Sequence, residues 1–100
     1  MTFDILLRNG EIYDGTGAAS FFGDIAVHDG RIIEITRPRT LNEKNFNDVI
    51  DVSGFAVSPG FIDLHTHSDF TLIADGRAQS QVHQGVTTEV VGQCGISCAP

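Results

Sequence analysis

One hundred residues make about one small domain, and an apolar fraction of 41% is enough for a packed core rather than a disordered chain. Thirteen acidic residues against six basic ones give a net charge of −7, which argues against a nucleic-acid or anionic-membrane surface. The opening MTFDILLRNG lacks the basic stretch and long apolar run of a signal peptide, and no window approaches the roughly 18 apolar residues of a membrane helix. Two cysteines, Cys94 and Cys98, are too few for a secreted disulfide scaffold, so a reducing, cytoplasmic setting is expected.

In chain order, DILLRNGEIYDGTG reads as two short strands about Asn9-Gly10, a dipeptide suited to the positive φ angles of a type I′ hairpin turn. GDIAVHDGRIIEI repeats the device about Asp29-Gly30, with Ile25 and Val27 before the turn and Ile33 and Ile35 after it. The polar TRPRTLNEKNFND reads as loop. VIDVSGFAVSPGFIDLHTH holds two or three short strands broken at Ser53-Gly54 and Pro59-Gly60. Beyond it, Ala78 and Val82 lie four apart and Gly85 sits where a C-cap glycine would, which predicts a helix of about two turns over 77–84. VTTEVVGQCG, β-branched and apolar, reads as a further strand. Strand, helix, strand is a βαβ unit, which requires parallel strands and a right-handed crossover. The chain therefore divides into a β portion over 1–54 and a βαβ unit over 55–100.

The chemistry concentrates in SPGFIDLHTHSD. Side chains alternate along a strand, so Phe61, Asp63, His65 and His67 are expected on one face, with the two imidazoles about 6.6 Å apart at the backbone. That spacing lets both converge on one ion at the C-terminal end of the strand, the edge where ligand sites form in α/β folds. Cys94 ends the next parallel strand at the same edge, so His65, His67 and Cys94 are predicted to meet. Alone, Cys94 would be a small buried apolar residue. Asp63 is either a solvent-side charge or a support for the site, and the site reading is preferred. Asp69 is expected to cap the loop beyond the strand, close to the pocket. His28, in a hairpin turn, and His83, near a helix C-terminus, are expected on the surface.

GFIDLHTHSD followed by QGVTTEVVGQCGISCAP resembles the amidohydrolase superfamily, in its N-acyl-D-amino-acid deacylase (D-aminoacylase) branch. The glycine-turn hairpins of the first half resemble, more weakly, the small β-sandwich that flanks the barrel in those enzymes. The resemblance implies an α/β fold: the start of a (β/α)8 metal-dependent hydrolase barrel preceded by a β-sandwich portion. It implies that His65 and His67 are metal ligands and that Cys94 bridges the metal positions; Asp63 and Asp69, by their place in the chain, are expected behind them. The metal implied is zinc, one or two ions, and the partner a small N-acylated amino acid rather than nucleic acid or membrane. Bound zinc lowers the pKa of a water to about 7 and so makes hydroxide available to attack an amide carbonyl. Three positions depart from the pattern. Gln93 stands where Asn is frequent, Ser68 where an acidic residue is common, and Glu89 interrupts an apolar strand and is expected to face the helix layer, away from Cys94.

A closed barrel takes about 250 residues. The sequence is therefore expected to be the N-terminal part of a longer enzyme, catalytically incomplete alone because the general base and remaining ligands lie elsewhere. The competing reading is a small non-catalytic module whose structural zinc is held by His65, His67, Cys94 and Cys98. Four N/S ligands suit a closed tetrahedral site, although the ligand spacings are not those of a cysteine knuckle.

Overall fold

The computed structural model describes residues 2–98 and divides into two compact units, Met1–Pro59 and Gly60–Pro100. Among the described residues no helix is long and apolar enough to cross a membrane.

The first unit is one mixed sheet of five strands: β1 Phe3–Ile12, β2 Phe21–His28, β3 Arg31–Thr36, β4 Phe46–Asp51 and β5 Ala56–Val57. β1 pairs antiparallel with β2 on one edge. On its other edge it pairs in parallel, first with β4 and then with β5. Both edges of β1 are thus consumed within a single sheet, and the expected β-sandwich is not formed among the described residues. Cross-strand rows such as Leu7, Ile25 and Ile35 follow from this register. The buried apolar side chains are Leu6, Ile12, Ile25 and Ala26, each of the larger ones contributing about 1.5–3 kcal/mol on full burial.

No hairpin forms at Asn9-Gly10. β1 runs straight through it as a bulge. Leu7 pairs with Ile25 and Gly10 with Gly23, so Arg8 and Asn9 together oppose Asp24, the two-against-one arrangement of a β-bulge. Asn9 takes a φ of +58° there, a value Asn tolerates better than most residues. A dipeptide suited to a turn is equally suited to a bulge, and the long strand partner decided between them. Asp29-Gly30 does make the expected turn: β2 and β3 are joined by these two residues at φ +49° and +69°.

The first unit also reaches further than residue 54. Ser53-Gly54 is a tight turn, closed by Phe55 N–H donating to the Val52 carbonyl at 3.0 Å. It returns the chain so that Ala56–Val57 can pair with β1. Gly10 admits this approach, since a Cβ there would lie 2.7 Å from Val57 Cγ2.

The second unit contains β6 Phe61–Asp63, α1 Asp69–Ala74, α2 Gln79–Val82 and β7 Val86–Glu89. β6 and β7 pair in parallel, with Phe61 opposite Val86, Ile62 opposite Thr88 and Asp63 opposite Glu89, as the βαβ reading required. The connection differs from the single helix expected over 77–84. Ala78 sits at φ +47°, and the Asp75 carboxylate accepts both the Arg77 amide, at 3.1 Å, and its guanidinium. This turn delays the helix to Gln79. A separate helix, α1, precedes it; its sequence signal is Ser68-Asp69 before the run FTLIA, a helix-start pattern.

Candidate metal centre

β6 ends at Asp63, so the alternation that placed Asp63, His65 and His67 on one strand face does not extend to the histidines. They lie on the bend that follows. The Asp63 carboxylate turns the chain there, accepting the His65 N–H at 3.1 Å. The ladder reaches slightly beyond both strands: Val90 N–H donates to the Asp63 carbonyl at 2.8 Å, and Thr66 N–H to the Val90 carbonyl at 3.3 Å. Thr66, between the two histidines, is therefore fixed by β7's continuation.

Cys94 is likewise beyond its strand, because β7 stops at Glu89. It occupies a tight turn with Gly95, the two at φ +55° and +74°, closed by Ile96 N–H donating to the Gln93 carbonyl at 2.9 Å. Left-handed backbone at a non-glycine residue costs on the order of 1 kcal/mol or more and is found where neighbouring structure imposes it. The Gln93 side chain reaches across to the Leu64 carbonyl at 3.5 Å, touching the residue before His65.

The three side chains meet although neither strand carries them. One donor atom from each of His65, His67 and Cys94 lies within 4.8 Å of the other two. Cys94 Sγ is 3.5 Å from His65 Nε2, and the two imidazoles stand edge to face with centroids 5.2 Å apart. All three are exposed. Two imidazoles and a thiolate suit a borderline-soft ion such as zinc, bound at about 2.0–2.1 Å by nitrogen and 2.3 Å by sulfur in a tetrahedral set. Those bond lengths place a nitrogen and a sulfur on one ion about 3.5 Å apart, the separation found here between Cys94 and His65. The donor set fits the ion.

Cys98 does not join the group. Its thiol points to the Asp69 carbonyl at 3.5 Å, so the four-ligand structural site is not assembled among the described residues. Asp69 is not a loop residue: it opens α1 and is 3% exposed, with its carboxylate accepting the Gly92 N–H at 2.9 Å. Ser68 is buried beside it, and Glu89 lies next to Ser68, with Oε1 3.4 Å from Ser68 Oγ. Ser68 and Thr66 were not among the residues the sequence singled out as site residues; their only signal was adjacency to the histidines.

The remaining histidines separate. His83 is exposed at the C-cap of α2. His28 is half-buried rather than on the surface, edge-on to Phe3 with centroids 5.4 Å apart and 3.4 Å from the Asp4 carboxylate. The antiparallel pairing that brings β1 beside β2 accounts for this, since it covers the end of the hairpin with Phe3 and Asp4.

The sequence pattern of the amidohydrolase family matches residues 48–99. A D-aminoacylase of Alcaligenes xylosoxydans xylosoxydans is 42% identical over 98% of this chain and 20% of its own length. A D-aminoacylase structure described with a binuclear metal centre superposes with a TM-score of 0.88 at 43% identity, covering 98% of this chain and 20% of the other. An N-acyl-D-glutamate deacylase from Bordetella bronchiseptica, complexed with zinc and a phosphonate inhibitor, gives 0.89 at 39% identity, over 100% and 20%. The chain spans about a sixth to a fifth of the length of the curated relatives it matches. With more than half its residues inside the family pattern, and His65, His67 and Cys94 all within that stretch, the chain belongs to the amidohydrolase family.

Proposed function

We propose that this chain supplies the first metal ligands of a hydrolase that cleaves the amide of N-acyl-D-amino acids. The observation that carries the reading is the convergence of His65, His67 and Cys94 donor atoms within 4.8 Å, with a sulfur-to-nitrogen edge of tetrahedral length. In this reading residues 60–100 begin a (β/α)8 barrel, and residues 1–59 form a separate, smaller β unit. The parallel pairing of β6 with β7 supports it.

His65 and His67 would hold the ion through neutral imidazole nitrogens, and Cys94 through its thiolate. Zinc held by these residues would supply Lewis acidity and a water ionised near neutral pH. Asp63 orients the histidine segment through the His65 amide, and Asp69 stands behind the Cys94 turn. Similarity to deacylases of D-amino-acid derivatives supports the substrate class. The isolated 100 residues are expected to be inactive, because among the described residues no carboxylate joins the three donors to serve as general base.

The test is hydrolysis of N-acetyl-D-amino acids and their L enantiomers by the complete protein carrying this sequence, before and after metal removal. The expected outcome is turnover of the D series, lost with chelation and restored by zinc. Full activity after exhaustive chelation, or cleavage confined to the L series, contradicts the proposal.

A further inference from the structure

The three donors lie on two irregular segments, 64–68 and 90–95, rather than on strands. Irregular backbone holds a spacing only where something fixes it. Among the described residues of the second unit, only Ser68 and Asp69 are buried, at 6% and 3% exposure. They are neighbours in the chain and address the two segments separately.

Asp69 addresses the cysteine. Its Oδ2 accepts the Gly92 N–H at 2.9 Å, two residues before Cys94. Its backbone carbonyl lies 3.5 Å from the Cys98 thiol, four residues after. Both ends of the Cys94 turn are thereby tied to one residue. Ser68 addresses the histidines. Its hydroxyl is 2.8 Å from that of Thr66, the residue between them. It also accepts from Gln81 Nε2 at 3.3 Å and lies 3.4 Å from Glu89 Oε1, so the segment is anchored to α2 and β7. Asp69 Oδ1 is buried with no hydrogen-bond partner. One oxygen of a buried carboxylate left unpaired costs stability.

We infer that Ser68 and Asp69 form a clamp that presets the gap between Cys94 and the two histidines, with the Asp69 carboxylate the positioning group for the Cys94 thiolate. The inference rests on the reading that these three residues hold a metal. Neither residue touches the ion; each acts through the backbone or side chain of its neighbour's segment.

The experiment measures zinc affinity of the complete protein by competition with a chromophoric chelator, alongside the thiolate-to-cobalt charge-transfer band of the cobalt form. Asp69→Ala should weaken binding by about 10–100-fold, the range for residues that orient metal ligands, and diminish the band. Asp69→Asn keeps an oxygen for the Gly92 amide and should restore both. Ser68→Ala should weaken binding by roughly 10-fold with the band intact, since it acts on the histidine segment. Should Asp69→Ala unfold, Asp69→Leu fills the space without an acceptor and must show the same loss. Wild-type affinity and band in Asp69→Ala or Asp69→Leu, with both lost in Cys94→Ala, overturn the clamp alone. Unchanged zinc affinity in Cys94→Ala overturns the metal reading beneath it.

Discussion

Asp24 shows how one side chain decides a local structure. It is 1% exposed and lies opposite the β1 bulge, where its two oxygens accept the Asn9 and Arg39 amides at 2.9 and 2.8 Å. Asn9 and Arg39 both take positive φ, so the carboxylate holds two strained positions at once. Asp24→Ala would orphan two part-buried amides, at about 1–3 kcal/mol for each. Destabilisation of about 2–6 kcal/mol in urea unfolding is expected, with Asp24→Asn retaining one contact and losing less. The cysteines divide in the same manner. Cys94→Ala should remove bound metal, whereas Cys98→Ala, which loses only a weak S–H contact, should keep it at a stability cost of about 1 kcal/mol. Metal analysis of both variants checks this, and equal losses from the two would revive the four-ligand site. The meeting of His65, His67 and Cys94 was legible in the sequence because residue type and the βαβ order sufficed. The roles of Ser68 and Asp24 were not, because a buried polar residue is recognised by its partners, and those are distant in the chain.

At the scale of elements, the parallel pairing of β6 and β7 was legible from pattern, and its boundaries were not. The strands stop at Asp63 and Glu89, leaving His65, His67 and Cys94 on loops that periodicity cannot describe. The bulge at Asn9 was hidden for a related reason: turn and bulge demand the same backbone angles, and only the partner strand distinguishes them. The β6–β7 register itself depends on Gly60, where a Cβ would collide with the Thr87 side chain. Gly60→Ala should therefore destabilise the second unit by about 1–3 kcal/mol, the usual cost of overpacking. Thr87→Ala in the same chain should recover part of that loss. A double-mutant cycle on unfolding free energies checks it; strictly additive effects would show that the two strands are not in this register.

Across the whole molecule, three exposed carboxylates contribute to the acid response. Asp14 is held below the usual carboxylate range by the Thr16 hydroxyl and amide, Asp51 by the Ser53 hydroxyl and amide, and Asp75 by the Arg77 guanidinium and amide. Each is depressed on folding, so its contribution is present above the unfolded value of about 3.9 and is lost as pH falls through the folded one. Replacing all three with Asn should make the loss of stability below about pH 4 shallower, and denaturant titrations that coincide for the two proteins would contradict this. In the proposed reading two imidazoles and one thiolate from this chain share an ion. Zinc-edge X-ray absorption of the complete protein tests it most directly. The account predicts sulfur at about 2.3 Å together with nitrogen at about 2.0–2.1 Å, and loss of the sulfur shell in Cys94→Ala. A zinc environment of nitrogen and oxygen alone in the wild type, or a sulfur shell that survives Cys94→Ala, would contradict it.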